Sequence, residues 1–218
     1  LIEYSSREIF SSAMLELSQK KYELWRSGAE VTAADQFGDK VLHLEDGTYL
    51  KLFRIKRLFS SARLFPYWRR FASNASRLAE LGVLTFTVRE IYDIPHLDRT
   101  AVHYDPLPGQ TLRQTECLDA GLVDRLGRFL VSLHDRGIYL RSLHLGNIVL
   151  TPGDELGLID IADMRIRSSS LPRRLRIRNY HHLCRYDEDR ARIAIHRNEF
   201  LSACDPVIRP KIAAMVDN

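Results

Sequence analysis

The sequence predicts an α+β fold with a mainly β amino-terminal part and a mainly helical carboxy-terminal part. In "KVLHLEDGTYLKLF", two runs of alternating apolar residues flank Glu45-Asp46-Gly47, a pattern typical of a β-hairpin. Farther along, six apolar residues keep a helical period: Leu118, Leu122, Leu126, Phe129, Leu130 and Leu133. The turn-rich segment "PLPGQTL" lies between the two patterns. We therefore divide the chain into a first part, residues 1–107, and a second part, residues 108–218.

An amphipathic stretch, "SSREIFSSAMLELSQKKYELW", lies near the start of the first part. Its apolar residues fall on one helical stripe: Ile9, Phe10, Ala13, Met14 and Leu17. This pattern predicts a helix docked on the rest of the chain, with a helix lying on a membrane surface as the alternative.

The hairpin follows, and Lys51 lies in its second strand. Because neighbours along a strand point to opposite faces, Lys51 shares its face with Tyr49 and Phe53. Pro66 then opens a predicted helix that stops at Gly82. The stretches "VLTFTVREIYDI" and "TAVHYDPL" are predicted to be two further strands.

In the second part, the apolar helix leads directly into the stretch "GIYLRSLHLGNIVL", Gly137 to Leu150. A short strand pair, "NIVLTP" and "LGLIDIAD", is predicted around Gly153. Helices are predicted to fill the remainder from about Asp187.

Composition places the chain among ordinary globular proteins. Of its 218 residues, 45% are hydrophobic and 28% are charged. Its three cysteines are far apart and show neither disulfide nor zinc spacing, so we expect a reducing, cytoplasmic compartment. No apolar run approaches the roughly 18 residues that a membrane span needs. The neighbouring His181, His182 and Cys184 are interpreted as a helix surface rather than a metal site, because no second cluster has ligand spacing.

The net charge is only +4, but the basic residues are clustered. Seven arginines lie between Arg165 and Arg185: Arg165, Arg167, Arg173, Arg174, Arg176, Arg178 and Arg185. Such a cluster attracts nucleic acid, anionic lipid or a phosphorylated substrate through its field, or it forms a solvated basic face. An anionic sugar or a protein is the other partner considered for this segment. Trp25 and Trp68 are expected to serve in packing, because aromatic and basic residues do not interleave as they do in strand surfaces that stack bases.

Three residues in a set order suggest phosphoryl transfer. Lys51 lies on a strand, Asn147 follows a helix and a loop, and Asp160 ends the next apolar strand. In phosphoryl transfer a lysine holds the α- and β-phosphates, while an amide oxygen and a carboxylate bind Mg²⁺. The sequence therefore predicts binding of ATP and Mg²⁺.

These residues resemble the protein-kinase-like superfamily, and within it the bacterial Kdo/heptose (lipopolysaccharide) kinases and the related toluene-tolerance proteins. The resemblance covers roughly residues 41–185. The family's catalytic loop is similar to "H-G-D-L-H-x-G-N-I-L", and "LRSLHLGNIVL" matches it at Leu143, His144, Gly146, Asn147 and Ile148. The stretch "GLIDIADM" looks like its magnesium-binding strand. The resemblance implies a two-lobed kinase-like fold with a small antiparallel-sheet N-lobe, a shortened helical C-lobe and a nucleotide site in the cleft between them.

By the same likeness, Lys51 is the phosphate-holding lysine, Asn147 and Asp160 hold the metal, and "AVHYDPLPGQTL" connects the lobes. Asp163 either assists the magnesium or caps the following turn. In the nucleotide-covering loop only Gly38, in "DQFGDK", is available to let the backbone approach a phosphate.

The sequence departs from the kinase pattern at the catalytic position. Ser142 replaces the aspartate that accepts the substrate proton, and Leu140 replaces a histidine. A general base contributes about 10²- to 10⁴-fold to the rate, and serine is not a useful base at neutral pH. His144 and Asp135 are candidate substitutes, although the favoured interpretation of His144 is an imidazole that ties the loop to the core by hydrogen bonds.

The helix after Lys51 also departs from the pattern. A glutamate usually pairs with the lysine, but between residues 57 and 81 the only carboxylate is Glu80, in the last turn. Phe71 or Asn74 falls nearer the expected place.

Two functions are therefore expected. The first is Mg-ATP binding with phosphate transfer to a sugar or lipid hydroxyl, the Arg165–Arg185 segment holding the acceptor. The alternative is a catalytically impaired pseudokinase that acts as a binding module. A nucleic-acid-binding domain is the least favoured reading, and peripheral membrane contact remains an alternative for the basic segment.

Overall fold

The computed structural model describes residues 14–54 and 66–217. The chain divides into two compact units, Leu1–Leu107 and Pro108–Asn218. A β-sheet dominates the first unit and helices dominate the second, which confirms the predicted α+β class. Within the described ranges, no helix combines the length and the apolar character needed to span a membrane.

The described part of the first unit is a six-stranded sheet with a helix on each face. The strands are β1 (Leu15–Glu16), β2 (Glu30–Asp35), β3 (Gly38–His43), β4 (Tyr49–Arg54), β5 (Thr87–Ile94) and β6 (Arg99–Asp105). The helices are α1 (Gln19–Ser27) and α2 (Tyr67–Glu80). The strand order is β1-β5-β6-β4-β3-β2, and every pair is antiparallel except β1 with β5.

The predicted hairpin is the β3–β4 pair. Its turn needs a left-handed residue, which Gly47 supplies with φ of 81°. The Asp46 carboxylate accepts a hydrogen bond from the Thr48 backbone N–H at 3.0 Å and closes the turn. In the resulting register Lys51 lies opposite Val41, so its place on a strand is confirmed.

Side chains alternate along β4 and cover two different helices. Leu50 and Leu52 are buried in a core that includes Tyr22 of α1. On the opposite face, the Phe53 ring lies 5.6 Å from the ring of Phe71 in α2. The sheet is therefore apolar on both sides, and Lys51 emerges on the α2 side.

The start of the described chain differs from the prediction. Residues 1–13 lie outside the described residues, but Leu15–Glu16 is a strand that pairs in parallel with β5. Leu17 is buried, and helix α1 begins only at Gln19. The prediction of a helix through Met14 and Leu17 is wrong because an open edge of the sheet provides backbone partners that outweigh a local helical stripe.

Helices make up most of the second unit. They are α3 (Ala120–Asp135), α4 (Arg173–Leu183), α5 (Asp187–Ala194), α6 (Arg197–Ala203) and α7 (Arg209–Val216). Short strands connect them: β7 (Gln110–Thr111), β8 (Ile138–Tyr139), β9 (Ile148–Leu150), β10 (Leu156–Leu158) and β11 (Arg165–Ile166). Strands β10, β9 and β7 form one small sheet, and β11 pairs with β8.

Helix α3 is the centre of this unit, as its apolar period predicts. Asp119 caps it by accepting a hydrogen bond from the Leu122 N–H at 2.7 Å. At Gly127 it packs closely on α6, where an added Cβ would lie 2.7 Å from the Cβ of Ala203. The helix ends before Gly137, whose φ of 74° turns the chain into β8.

Helix α4 contains His181 and His182, so their placement on a helix is confirmed, but its start at Arg173 was not predicted because the segment is mostly basic. Pro172 immediately precedes it and has no N–H to leave unpaired. The predicted strand pair around Gly153 and the helices from Asp187 onward are present.

Candidate functional site

Hydrogen bonds within the second unit bring together three of the predicted site residues. The Asn147 side-chain amide donates to the Ser142 carbonyl oxygen at 2.8 Å. The Ser142 hydroxyl makes a longer contact, 3.4 Å, to the carbonyl oxygen of Asp160. The Ile159 backbone N–H donates to the Asn147 carbonyl at 3.0 Å. The loop before β9 and the segment after β10 are therefore joined at Ser142, Asn147 and Asp160.

Asn147 is buried at the end of a short 3₁₀ turn, Leu145–Asn147. Its amide nitrogen is used to hold the loop at Ser142. The side-chain oxygen is the atom suited to a cation, because Mg²⁺ takes oxygen ligands. The Asn147 side chain thus holds the loop through its nitrogen and offers its oxygen as a metal ligand.

Asp160 has an unusual backbone. Its φ of 52° and ψ of 51° lie in the left-handed region, which most side chains avoid and which aspartate and asparagine tolerate best. This conformation turns the chain sharply from β10 into a 3₁₀ turn, Ile161–Asp163, and leaves Asp160 exposed. Asp163 is half-buried at the end of that turn, and both interpretations of its role stay open.

His144 lies in the same loop but does not tie it to the core through Nδ1. That atom is buried and has no hydrogen-bond partner. Its ring meets the Tyr186 ring edge-on, with centroids 5.5 Å apart. Burial, and then the charge of Arg113, lower the pKa of His144, so the imidazole is neutral at pH 7.

The loop is held instead by a buried ion pair. Asp189 of α5 is completely buried and accepts from Arg113 twice, at 2.8 Å and 2.6 Å. Its Oδ2 also accepts the Leu145 backbone N–H at 3.0 Å. One carboxylate therefore fixes both the chain after β7 and the loop that carries Ser142 and Asn147.

Sequence reasoning missed Arg113 and Asp189. They are 76 residues apart in hydrophilic stretches, and neither belongs to a recognised motif. The sequence holds one faint signal for Asp189. It is four residues before the apolar Ile193, so the two share a helix face, and Ile193 is buried. The other proposed base, Asp135, accepts a hydrogen bond from Arg176 at 2.7 Å.

Lys51 and Gly38 belong to the first unit. The Lys51 Nζ lies 4.6 Å from the centre of the Phe71 ring, a cation–π distance. Phe71 thus occupies a place beside the lysine, and Asn74 is buried one turn further along α2.

Gly38 begins β3 with φ of 103°. Arg99 donates to the carbonyls of Phe37 and Asp39 on either side of it. The turn between β2 and β3 therefore accounts for a glycine at position 38. The role of Gly38 in binding a phosphate stays a prediction.

Among the described residues, no group of three or more histidine, cysteine, aspartate or glutamate side chains is placed to hold a metal ion. His182 instead shares a 3.2 Å hydrogen bond with the Tyr139 hydroxyl, and Cys184 is buried.

Comparison with known proteins finds matches among solved structures. No protein-family model and no curated protein matches the sequence. Among the matching chains of known structure is one described as a divergent kinase that lacks the glycine-rich loop and regulates membrane ultrastructure of the Toxoplasma parasitophorous vacuole. The two chains are 10% identical, the match covers 97% of this chain and 80% of the other, and the TM-score is 0.45.

Proposed function

We propose that this chain binds a magnesium–ATP complex in a kinase-like manner, with Asn147 and Asp160 as the metal ligands. The observation that carries the proposal is the hydrogen-bonded meeting of Ser142, Asn147 and Asp160 within one unit. An amide oxygen and a carboxylate are hard ligands of the kind Mg²⁺ prefers, and phosphate oxygens and water complete such a shell. Bound magnesium neutralises charge on the triphosphate and orients its terminal phosphate.

The loop is built for positioning more than for proton transfer. Asn147 is fixed by its bond to Ser142, and the buried Asp189 holds the Leu145 N–H. Ser142 is not a useful proton acceptor at neutral pH, and the buried Nδ1 of His144 is closed to solvent. We therefore expect binding without fast turnover, which favours the pseudokinase alternative.

If phosphate moves, the acceptor that we propose is a hydroxyl of an anionic sugar or lipid. The resemblance to lipopolysaccharide kinases and the arginines between Arg165 and Arg185 support this choice. The acceptor oxygen would bond to the γ-phosphorus as the bond to the ADP oxygen breaks, and its proton would pass to solvent. The phosphate-holding role of Lys51 stays a prediction from the sequence, which Lys51→Met tests separately.

Thermal unfolding with ATP tests metal binding at Asp160. We expect ATP with Mg²⁺, but not ATP with EDTA, to raise the Tm. At 100 times the Kd a ligand stabilises a fold by about 2.7 kcal/mol. Asp160→Asn should remove the rise, because asparagine keeps the left-handed backbone but loses the charge.

The matched control is Asp154→Asn. Asp154 is also left-handed, with φ of 62°, and its exposed carboxylate pairs with Arg125 at 2.8 Å. This variant should keep the full magnesium-dependent rise. No such rise in the wild type, or an equal rise in Asp160→Asn, would refute the proposed site.

Release of ADP, with water as the acceptor, tests turnover. Because a general base is worth about 10²- to 10⁴-fold, Ser142→Asp should release ADP faster than the wild type by a factor in that range. Ser142→Asn matches the new side chain in size but cannot accept the proton, so it should stay slow. A wild type as fast as Ser142→Asp would contradict the pseudokinase reading and leave magnesium binding intact.

A further inference from the structure

The arginines between Arg165 and Arg185 do not form one surface. Arg176 is largely buried and pairs with Asp135 at 2.7 Å and with Asp205 at 3.4 Å. The Arg185 guanidinium lies 4.7 Å from the centre of the Tyr186 ring. The other five line two separate depressions of the second unit.

One depression is a cavity of about 330 Å³ that is lined mainly by arginine. Its lining residues are Tyr139, Arg141, Arg165, Arg167, Leu175 and Arg178. The other depression is lined by Arg173, Arg174, Ile177 and Lys211. Arg141, which the sequence places in the loop beside Ser142, thus joins three arginines of the basic segment.

Strand pairing explains why these side chains meet. In the β8–β11 pair, Tyr139 lies directly opposite Arg165. Arg141 and Arg167 lie just beyond the ends of the two strands, each two residues after a member of that pair, and both line the cavity. The Arg167 N–H donates to the Gly137 carbonyl at 3.0 Å, which extends the pairing beyond the strand ends.

Helix α4 supplies the opposite wall. Leu175 and Arg178 are three residues apart and therefore lie on one helix face. His182, one turn beyond Arg178, is hydrogen-bonded to the Tyr139 hydroxyl at 3.2 Å, which holds this face of α4 against β8.

The cavity carries four positive charges without matching carboxylates. In the part of the chain that the structure describes, none of Arg141, Arg165, Arg167 and Arg178 forms an ion pair. Other arginines of the unit, such as Arg113, do pair with acidic residues. Burial lowers the pKa of His182, and the charges of Arg178, Arg185 and Arg141 lower it further, which reflects the same positive field.

We propose that this cavity binds a phosphate group, either that of a small polar molecule or that of a lipid headgroup. Guanidinium groups match phosphate oxygens with two parallel hydrogen bonds, and several unpaired ones gain most from a multiply charged anion. The volume suits a ligand of sugar-phosphate size, and Tyr139 and Leu175 provide an apolar wall for its uncharged part. The proposal is independent of nucleotide binding at Asp160.

Calorimetric titration with inorganic pyrophosphate, in EDTA and without nucleotide, tests the site. We expect saturable binding that weakens by about tenfold in Arg178→Gln and again in Arg165→Gln, since each variant loses a charged hydrogen bond. Binding should also weaken as salt rises from 0.1 M to 1 M, because the screening length falls from about 10 Å to about 3 Å.

The matched control is Arg174→Gln. Arg174 is an exposed arginine of the same helix, but it lines the other depression. Wild-type affinity in this variant is expected. The proposal is overturned if the wild type binds no pyrophosphate, or if Arg174→Gln loses as much affinity as Arg178→Gln. A short DNA duplex that binds in all variants equally would indicate a diffuse basic face and also overturn it.

Vesicles distinguish the source of the phosphate. If vesicles containing phosphatidic acid bind the wild type and not Arg178→Gln, the phosphate belongs to a lipid headgroup. If pyrophosphate binds and these vesicles do not, it belongs to a soluble molecule. Loss of nucleotide binding in Asp160→Asn with pyrophosphate binding retained would separate this site from the proposed nucleotide site.

Discussion

Replacing Asp189 by asparagine should release the loop that carries Ser142 and Asn147. The Asp189 carboxylate is completely buried, and it accepts hydrogen bonds from Arg113 and from the Leu145 backbone N–H. Asparagine has the same shape but no charge, so the variant creates no cavity. It leaves the Arg113 guanidinium without its counter-ion.

The geometry sets the size of the effect. Removing one partner of a buried ion pair costs about 3–5 kcal/mol, because the other charge stays desolvated. The side chain of Arg113 is 33% exposed, so water relieves part of this cost. Asparagine also keeps one oxygen that accepts a hydrogen bond. We therefore expect Asp189→Asn to lower the free energy of unfolding by about 3 kcal/mol, the low end of that range.

Urea unfolding measures this difference, and Asp124→Asn is the control. Asp124 makes the same two-bond contact to Arg128, at 2.7 Å and 3.0 Å, but that arginine is 69% exposed. Such a surface pair four residues apart is worth about 0.3–0.5 kcal/mol. Equal losses in the two variants would refute the reasoning.

Hydrogen exchange adds a local readout. The Leu145 amide should exchange faster in Asp189→Asn, because its acceptor has lost its charge. Unchanged exchange at this amide, together with a lower free energy of unfolding, would show that Asp189 stabilises the unit without positioning the loop.

Two further predictions concern helix α3. Burial lowers the pKa of His134 to about 4, so between pH 6.5 and 4 the unfolded chain binds more protons than the folded one, and the free energy of unfolding falls as the pH falls. The loss is about 1.4 kcal/mol per pH unit, about 3 kcal/mol in all. The variant His134→Gln keeps a hydrogen-bond donor for the Asn179 side-chain oxygen. Its free energy of unfolding should depend less steeply on pH than that of the wild type, because all other histidines are the same in the two proteins. Equal slopes would contradict this prediction. Gly127→Ala should lower the free energy of unfolding in urea by about 1–3 kcal/mol, because the new Cβ meets Ala203. In the same helix, Gly121→Ala should raise it by up to about 1 kcal/mol. Equal effects of the two substitutions would refute the packing argument.

Local chemistry made much of the fold predictable. The β3–β4 hairpin follows from alternating apolar residues around a turn that needs Gly47, and α2 and α3 follow from periodic apolar faces with clear start and stop residues. The strand at Leu15–Glu16 was missed because its partner, β5, is more than seventy residues away. Pairing with a distant edge is not encoded in the periodicity of the segment itself.

The same division applies to the candidate site. The sequence by itself determined the order of Lys51, Asn147 and Asp160, because a motif is a property of the chain. It also determined that Ser142 stands where kinases have the catalytic aspartate. Only the tertiary structure decided that Asp189 holds the loop. It also separated seven neighbouring arginines into paired, stacked and cavity-lining groups and added Arg141 to the last of these. Burial and strand pairing decide which charges meet, and both arise from contacts between segments that are distant in sequence.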